Sequence, residues 1–99
     1  MTNEPIHQHE EVKSNFNLNV YPNPMNNTAM IAFDLKESSN AMVEVYDIVA
    51  KNVYSNDLGT VSAGVNTLDF DGSMLDAGMY IVKLIVNNQV VTEKITINK

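Results

Sequence analysis

The sequence contains no cysteine, no tryptophan and no arginine, and it has only four glycines and three prolines in 99 residues. Without cysteine the chain has no disulfide, no thiol nucleophile and no thiolate metal site. This says little about the compartment, because many exported bacterial domains also lack disulfides. The absence of tryptophan weakens the case for an aromatic platform that binds carbohydrate.

Positive charge and long apolar runs are also scarce. All six basic residues are lysines, the net charge is −6, and the longest apolar candidate, YIVKLIV, is interrupted by Lys83. An acidic chain repels nucleic-acid phosphates and anionic membrane surfaces, and no run is long enough to span a bilayer. We therefore predict no nucleic-acid partner and no membrane insertion. The start, MTNEPIHQHEEVK, lacks the pattern of a signal peptide, so an exported domain would belong to a larger precursor.

Groups that could carry catalysis do not form a pattern. His7 and His9 precede the segment predicted to fold, so the serines of that segment have no histidine to activate them. The two histidines lack the fixed geometry of a specific metal site. The segment DFDGSMLD resembles a calcium loop, but Gly72 is its fourth residue instead of its sixth, and Tyr80 stands where the loop needs glutamate. The sequence predicts no catalytic residue, no metal and no cofactor.

The chain divides into a polar tail and one domain. Residues 1–15 have no periodicity and are interpreted as a flexible linker from an upstream domain. From Phe16 to Lys99, short β-type segments alternate with turn clusters every eight to twelve residues or so. This spacing predicts an all-β fold, an immunoglobulin-like antiparallel β-sandwich of about seven strands without a disulfide.

Alternation within the segments predicts which side chains face the core. Inward positions are predicted at Phe16, Leu18, Val20, Ile31, Phe33, Leu35, Val43, Val45, Leu68, Phe70, Tyr80, Val82, Leu84, Val86, Val91, Ile95 and Ile97. Glu93 falls on the inward face of the last strand, which indicates a bulge, an edge or an exposed end. A short strand and turn are expected around Val53, and Asn87-Asn88 is a predicted hairpin turn.

Two local motifs are more specific. In YPNP, Pro22 and Pro24 each fix φ and remove a backbone donor, so this segment is expected to end an edge strand and to offer nothing for another strand to pair with. In LDAGMY, the spacing of Leu75, Gly78 and Tyr80 is that of a tyrosine corner, whose tyrosine hydroxyl bonds to upstream backbone. The alternative is an ordinary hairpin entry with a buried tyrosine.

The segments VYPNP, VEVYDIVAK, LDAGMYIVKL and TEKITINK together resemble the type A C-terminal sorting domain of the type IX secretion system of Bacteroidetes. The resemblance covers Phe16 to Lys99 with the segments in family order. It departs from the family at Ala50, where glycine is common. The positions that correspond to the family's motifs are Pro22, Asn23, Pro24, Gly78, Tyr80, Lys94 and Lys99.

The resemblance implies a non-catalytic secretion signal at the end of a larger cargo protein. Its implied partners are the outer-membrane type IX translocon and a sortase-like protease. The implied location is the periplasm in transit, then the cell surface or the medium. Two alternatives remain open. The domain could be an immunoglobulin-like accessory module that binds polysaccharide or spaces a catalytic domain, and its prolines and edge lysines could simply block aggregation.

Overall fold

A computed structural model describes residues 16–99, which form seven β-strands and no helix. The strands are β1 (Asn19–Tyr21), β2 (Thr28–Leu35), β3 (Ser39–Asp47), β4 (Asn52–Val61), β5 (Gly64–Asp71), β6 (Gly78–Val86) and β7 (Gln89–Ile97). The predicted all-β fold is confirmed. The predicted linker, residues 1–15, and its two histidines lie outside the described residues.

The strands form two antiparallel sheets, in the orders β1-β2-β5 and β4-β3-β6-β7. In a constant-type immunoglobulin domain the fourth strand joins the sheet of the first two strands. Here β4 pairs with β3 instead. The second sheet therefore has four strands, with β4 and β7 at its edges.

The core lies between the sheets and contains the inward residues that alternation predicts. Ile31 and Phe33 of β2 are buried, as are Val82 and Leu84 of β6. Leu18, Leu68 and Val91 are only partly buried at the margin of this core. The rings of Tyr54 and Phe70 meet edge to face, with centroids 5.1 Å apart, and so join β4 to β5 across the sandwich. Glu93 lies on β7, an edge strand, which is one of the explanations given above.

Two strands differ in length from the sequence prediction. β4 has 10 residues, although its polar composition predicts only a short strand around Val53. Register shifts between Ala41 and Met42 and between Val45 and Tyr46 keep β4 in pairing with β3 despite its irregular alternation. β1 has only three residues, and Asn17, which precedes it, has a φ of 46° that interrupts the extended chain.

Ala50, where the resemblance noted above departs from the common glycine, lies in the turn between β3 and β4. Ala50 adopts a φ of 66°, in the left-handed region. A side chain there costs about 1 kcal/mol or more, and glycine avoids that cost. This explains why glycine suits the position.

Candidate functional site

The C-terminal half of β7 is bonded along both of its edges. On one side it pairs with β6. On the other, the Met25 N–H donates to the carbonyl of Thr96 at 2.9 Å, and the Asn98 N–H donates to the carbonyl of Met25 at 2.7 Å. Met25 and Ile97 thereby form a parallel bridge. The segment that follows YPNP acts as one more, very short, strand beside β7.

The asparagine of YPNP extends this pairing with its side chain. The Asn23 Nδ2 donates to the carbonyl of Lys94 at 3.0 Å, and the Asn23 Oδ1 accepts from the Thr96 N–H at 3.1 Å. A carboxamide offers one donor and one acceptor, as a backbone peptide group does. The expectation that this segment offers nothing for pairing is therefore wrong. We call these four hydrogen bonds, which Asn23 and Met25 make to β7 and to Asn98 directly after it, the terminal clasp.

The two prolines on either side of Asn23 are exposed, and the peptide bonds that precede them, Tyr21-Pro22 and Asn23-Pro24, are both cis. Pro22 directly follows Tyr21, the last residue of β1, and Pro24 directly precedes Met25. The prolines thus form the bend that carries the chain from the three-stranded sheet to the edge of β7 in the other sheet.

Beneath the terminal clasp, Met25 packs closely against the loop between β5 and β6. A Cβ atom on Gly72 would lie 3.0 Å from the Met25 Cε and 3.2 Å from the Ile97 Cδ1. The Gly72 N–H donates to the carbonyl of Asn27 at 2.7 Å. Close approach, and not a special φ, is therefore the reason for glycine at position 72.

Lys99 fixes the same loop from its other side. Its Nζ donates to the carbonyls of Gly72 at 3.2 Å and of Ser73 at 2.8 Å, and also to the carbonyl of Leu75. The neighbouring Asp71 carboxylate accepts the Ser73 N–H at 2.9 Å. This backbone hydrogen bond holds the pKa of Asp71 below its ordinary value, and the Ser73 hydroxyl and the Lys99 charge act in the same direction.

The LDAGMY segment forms the approach to the other edge of β7. The Tyr80 hydroxyl donates to the carbonyl of Asp76 at 2.7 Å, which is the hydrogen bond of a tyrosine corner. Burial raises the pKa of Tyr80, and the charges of Asp76 and Asp47 raise it further. Gly78 has a φ of 153° that disfavours other residues. Gly78 pairs with Ile97, and Tyr80 pairs with Ile95.

The residues singled out from separate parts of the sequence therefore meet around one short segment, Lys94 to Lys99. Asn23 bonds the edge of this segment that faces away from β6. Gly78 and Tyr80 of β6 pair with its other edge, and Lys99 is its last residue. Lys94 is exposed and lies opposite Ile81 on the outer face of the sheet. Among residues 16–99, the ion pair that forms is Lys83 with Glu44, so Lys94 has no carboxylate partner there.

Sequence reasoning missed several residues of this arrangement. Met25, Gly72, Thr96 and Asn98 all take part in it, yet the sequence predicts no such role for them, and Gly72 stands out there only in the rejected calcium loop. The two hydrogen bonds of Asn23 reach Lys94 and Thr96, which follow it in the chain by 71 and 73 positions. Pairing over such distances leaves no periodic pattern in the sequence. The one available signal in the sequence was the apolar residue Met25 directly after YPNP, which indicates a buried position there.

Residues 16–99 contain no group of three or more histidine, cysteine, aspartate or glutamate side chains that could hold a metal ion. No helix within these residues is long and apolar enough to cross a membrane. The arrangement around Lys94 to Lys99 is built from backbone groups, the Asn23 amide and the Lys99 ammonium, with the side chains of Pro22, Pro24 and Lys94 exposed around it.

The fold and this site define a class of small β-sandwich domain whose characteristic residues gather at its last strand. Residues 19–98 match the family model described as the secretion system C-terminal sorting domain. The chain belongs to this family, which serves type IX secretion. No curated protein gives a significant match to the chain. Membership indicates a C-terminal sorting signal for export to the cell surface or beyond it.

Proposed function

We propose that residues 16–99 are a non-catalytic signal that directs a larger cargo protein through the type IX outer-membrane translocon. The cargo lies upstream in the same precursor, and residues 1–15 belong to the linker that joins it to the domain. A sortase-like protease then separates the two, and the cargo is attached to the surface or released. The domain passes through the periplasm in its folded form.

One observation supports this proposal most directly: three motifs that are far apart in the sequence meet at Lys94 to Lys99. Asn23 and Lys99 are occupied by hydrogen bonds inside the domain, so they shape the site. Pro22, Pro24 and Lys94 are exposed there and are available to a partner. The recognised feature is thus a folded surface, which a cargo-independent signal needs because its neighbours in the precursor vary.

The experiment is to fuse the whole chain behind a reporter that carries an export signal. The fusion is expressed in a host with type IX secretion and in the same host without the outer-membrane translocon, and reporter is measured in periplasm, on cells and in medium. We expect reporter outside the outer membrane only when the translocon is present. An equal distribution in both hosts would contradict the proposal. Retention of the purified chain on insoluble polysaccharide would then favour an accessory module.

Point substitutions test the site better than truncation does. Deleting Lys94 to Lys99 would also remove Ile95 and Ile97, which are buried, and would unfold the domain. The substitution Asn23→Ala removes two hydrogen bonds of the terminal clasp, whereas Asn88→Ala changes an exposed asparagine in the turn between β6 and β7. We expect Asn23→Ala to reduce secretion more than Asn88→Ala does. Equal secretion of the two variants would show that the clasp has no part in sorting.

A further inference from the structure

The outer face of the four-stranded sheet carries a groove that the proposed function leaves unassigned. Its volume is about 540 Å³, and its lining includes Tyr46, Ile48, Met79, Ile81, Lys83 and Lys94. We call it the outer groove. It lies beside the C-terminal half of β7, because Ile81 pairs with Lys94 and Met79 pairs with Thr96.

Two apolar side chains of the outer groove are exposed. Ile48 is 77% exposed and Met79 is 45% exposed. Ile48 lies in the turn between β3 and β4, where the Asp47 Oδ1 accepts the N–H groups of Val49 and Lys51 at 3.0 and 2.9 Å. These bonds hold the turn in one conformation. Ile48 is therefore presented from a defined position at the groove.

The charged groups of the outer groove differ in whether they have partners. Lys83 lies 3.9 Å from the Glu44 carboxylate and 5.4 Å from the centre of the Tyr46 ring. The Asp47 carboxylate keeps its charge, and its Oδ1 accepts two backbone N–H groups of the turn. Lys94 has no carboxylate partner among residues 16–99, although the chain as a whole has a net charge of −6. One cation beside exposed apolar side chains is thus left for an external group.

The position of Lys94 is fixed by the terminal clasp. Its carbonyl accepts the Asn23 Nδ2, and it pairs with Ile81 across the two strands. Because its backbone is held on both sides, Lys94 extends from a rigid base at the rim of the outer groove. A rigid base lowers the entropy that a partner must overcome to pair with this ammonium group.

We propose that the outer groove is the docking surface for a protein component of the type IX machinery that presents an apolar side chain next to a carboxylate. The apolar side chain lies between Ile48 and Met79, and the carboxylate pairs with Lys94. Charge complementarity selects such a partner, because the lining of the groove carries two lysines and one aspartate on an otherwise acidic domain. This inference rests on the proposed sorting function and names the surface that performs it.

The test uses the same secreted fusion with substitutions in the groove. Ile48→Asp and Lys94→Glu reverse its apolar and its electrostatic character, and Ile48→Leu and Lys94→Arg preserve them. The matched controls are Val65→Asp, at a valine 75% exposed on β5 of the other sheet, and Lys36→Glu, at an exposed lysine between β2 and β3. Loss of a residue that carries the docking is expected to lower secretion about tenfold. Conservative variants and controls are expected to change it less than about twofold.

Thermal unfolding of each purified chain accompanies the secretion assay. If either Lys94→Glu or Ile48→Asp lowers Tm, the other variant, at a different residue, still tests the groove. A selection for suppressors of Lys94→Glu adds direct evidence. We expect changes from an acidic to a basic residue in one machinery component, and we expect them to restore Lys94→Glu but not Ile48→Asp. Such allele-specific restoration is the signature of a direct charge pair.

Three outcomes would overturn the inference. Normal secretion of folded Ile48→Asp and Lys94→Glu chains would exclude the outer groove and leave the sorting function intact. Failure of the unsubstituted chain to be secreted in the competent host would overturn the sorting function and this inference together. If sedimentation shows a dimer that Ile48→Asp dissociates, a second copy of the chain occupies the groove in place of the machinery.

Discussion

The two halves of β7 share a neighbour, β6, and differ in their other surroundings. In the C-terminal half, Ile95 and Ile97 are buried and the terminal clasp occupies the outer edge. In the N-terminal half, Val90 is 52% exposed, and no strand of residues 16–99 pairs along its outer edge. One strand thus combines a firmly held end with an open one.

An edge strand can thus be closed to pairing in the half that carries the candidate site and left open in the other half. A free edge invites pairing with other chains, and short length with polar side chains limits that risk. The open half is short and includes Thr92 and Glu93. The held half carries the residues of the candidate site. We therefore expect substitutions to have large effects near Ile97 and small effects near Val90.

The largest difference is expected from shortening one buried and one exposed side chain. Ile97 is 1% exposed, so Ile97→Ala is expected to lower the free energy of unfolding by about 3 kcal/mol through lost burial and a cavity. Val90→Ala is expected to cost less than about 0.5 kcal/mol. Urea unfolding of both variants measures this. Equal losses would show that the two halves contribute alike.

Breaking the terminal clasp is the next largest change. Asn23→Ala removes a donor to the Lys94 carbonyl and an acceptor for the Thr96 N–H, and is expected to cost about 1 to 2 kcal/mol. Asn23→Asp keeps an acceptor for the Thr96 N–H but places a carboxylate oxygen, in place of the donor, opposite the Lys94 carbonyl, so it is also expected to be destabilising. Chemical denaturation measures both losses. Hydrogen exchange of the Thr96 amide shows whether the clasp has opened, and unchanged protection in Asn23→Ala would contradict its role.

Within the held half, Lys99 and Lys94 are expected to have different roles, one in stability and the other in secretion. Lys99→Met removes donors to three loop carbonyls and is expected to lower stability by about 1 kcal/mol, since the site is solvent-exposed. Lys94→Met removes an ammonium group without a carboxylate partner in residues 16–99, and it should leave stability nearly unchanged while reducing secretion. Thermal unfolding and the secretion assay separate the two effects. A stability loss at position 94 equal to that at 99 would refute this division of roles.

The smallest expected effect is a pH dependence. The pKa of Asp71 is lowered from its ordinary 3.8 in the folded chain, chiefly by the Ser73 N–H. The resulting stability is present above pH 3.8 and is lost as the pH falls through the folded pKa, because the unfolded chain then takes up the proton first. Asp71→Asn should flatten this part of the profile. Unfolding of both chains in mildly to strongly acidic buffers measures it, and parallel profiles would contradict the assignment.

Much of the fold follows from local pattern. The inward positions of β2, β3 and β6 alternate in the sequence as they do in the sheets, and the turn at Asn87-Asn88 joins β6 to β7 as its residues predict. Glycine is common in the family at the position of Ala50, and the left-handed backbone there supplies the reason. Patterns with a period of two residues are local, which is why they are visible before the chain is folded.

The candidate site could be predicted only as a set of residues. The positions Asn23, Tyr80, Lys94 and Lys99 came from motifs, but their convergence depends on hydrogen bonds between distant segments. The Asn23 carboxamide takes the place of a backbone peptide group beside β7, and no feature of the amino-acid composition indicates this role. Likewise, the exposure of Ile48 and Met79 reflects how β3 and β6 lie together and not the hydropathy of either segment.

The parallel bridge between Met25 and Ile97 also has a mechanical consequence. A pull exerted between the chain before Asn23 and the chain after Ile97 acts along the two parallel segments and across the hydrogen bonds that join them. These bonds would be sheared together and would not open one after another. We therefore expect the domain to resist traction on its two ends more strongly than its modest number of interstrand bonds at this edge suggests. Traction from an upstream cargo would therefore load this edge of the domain in shear.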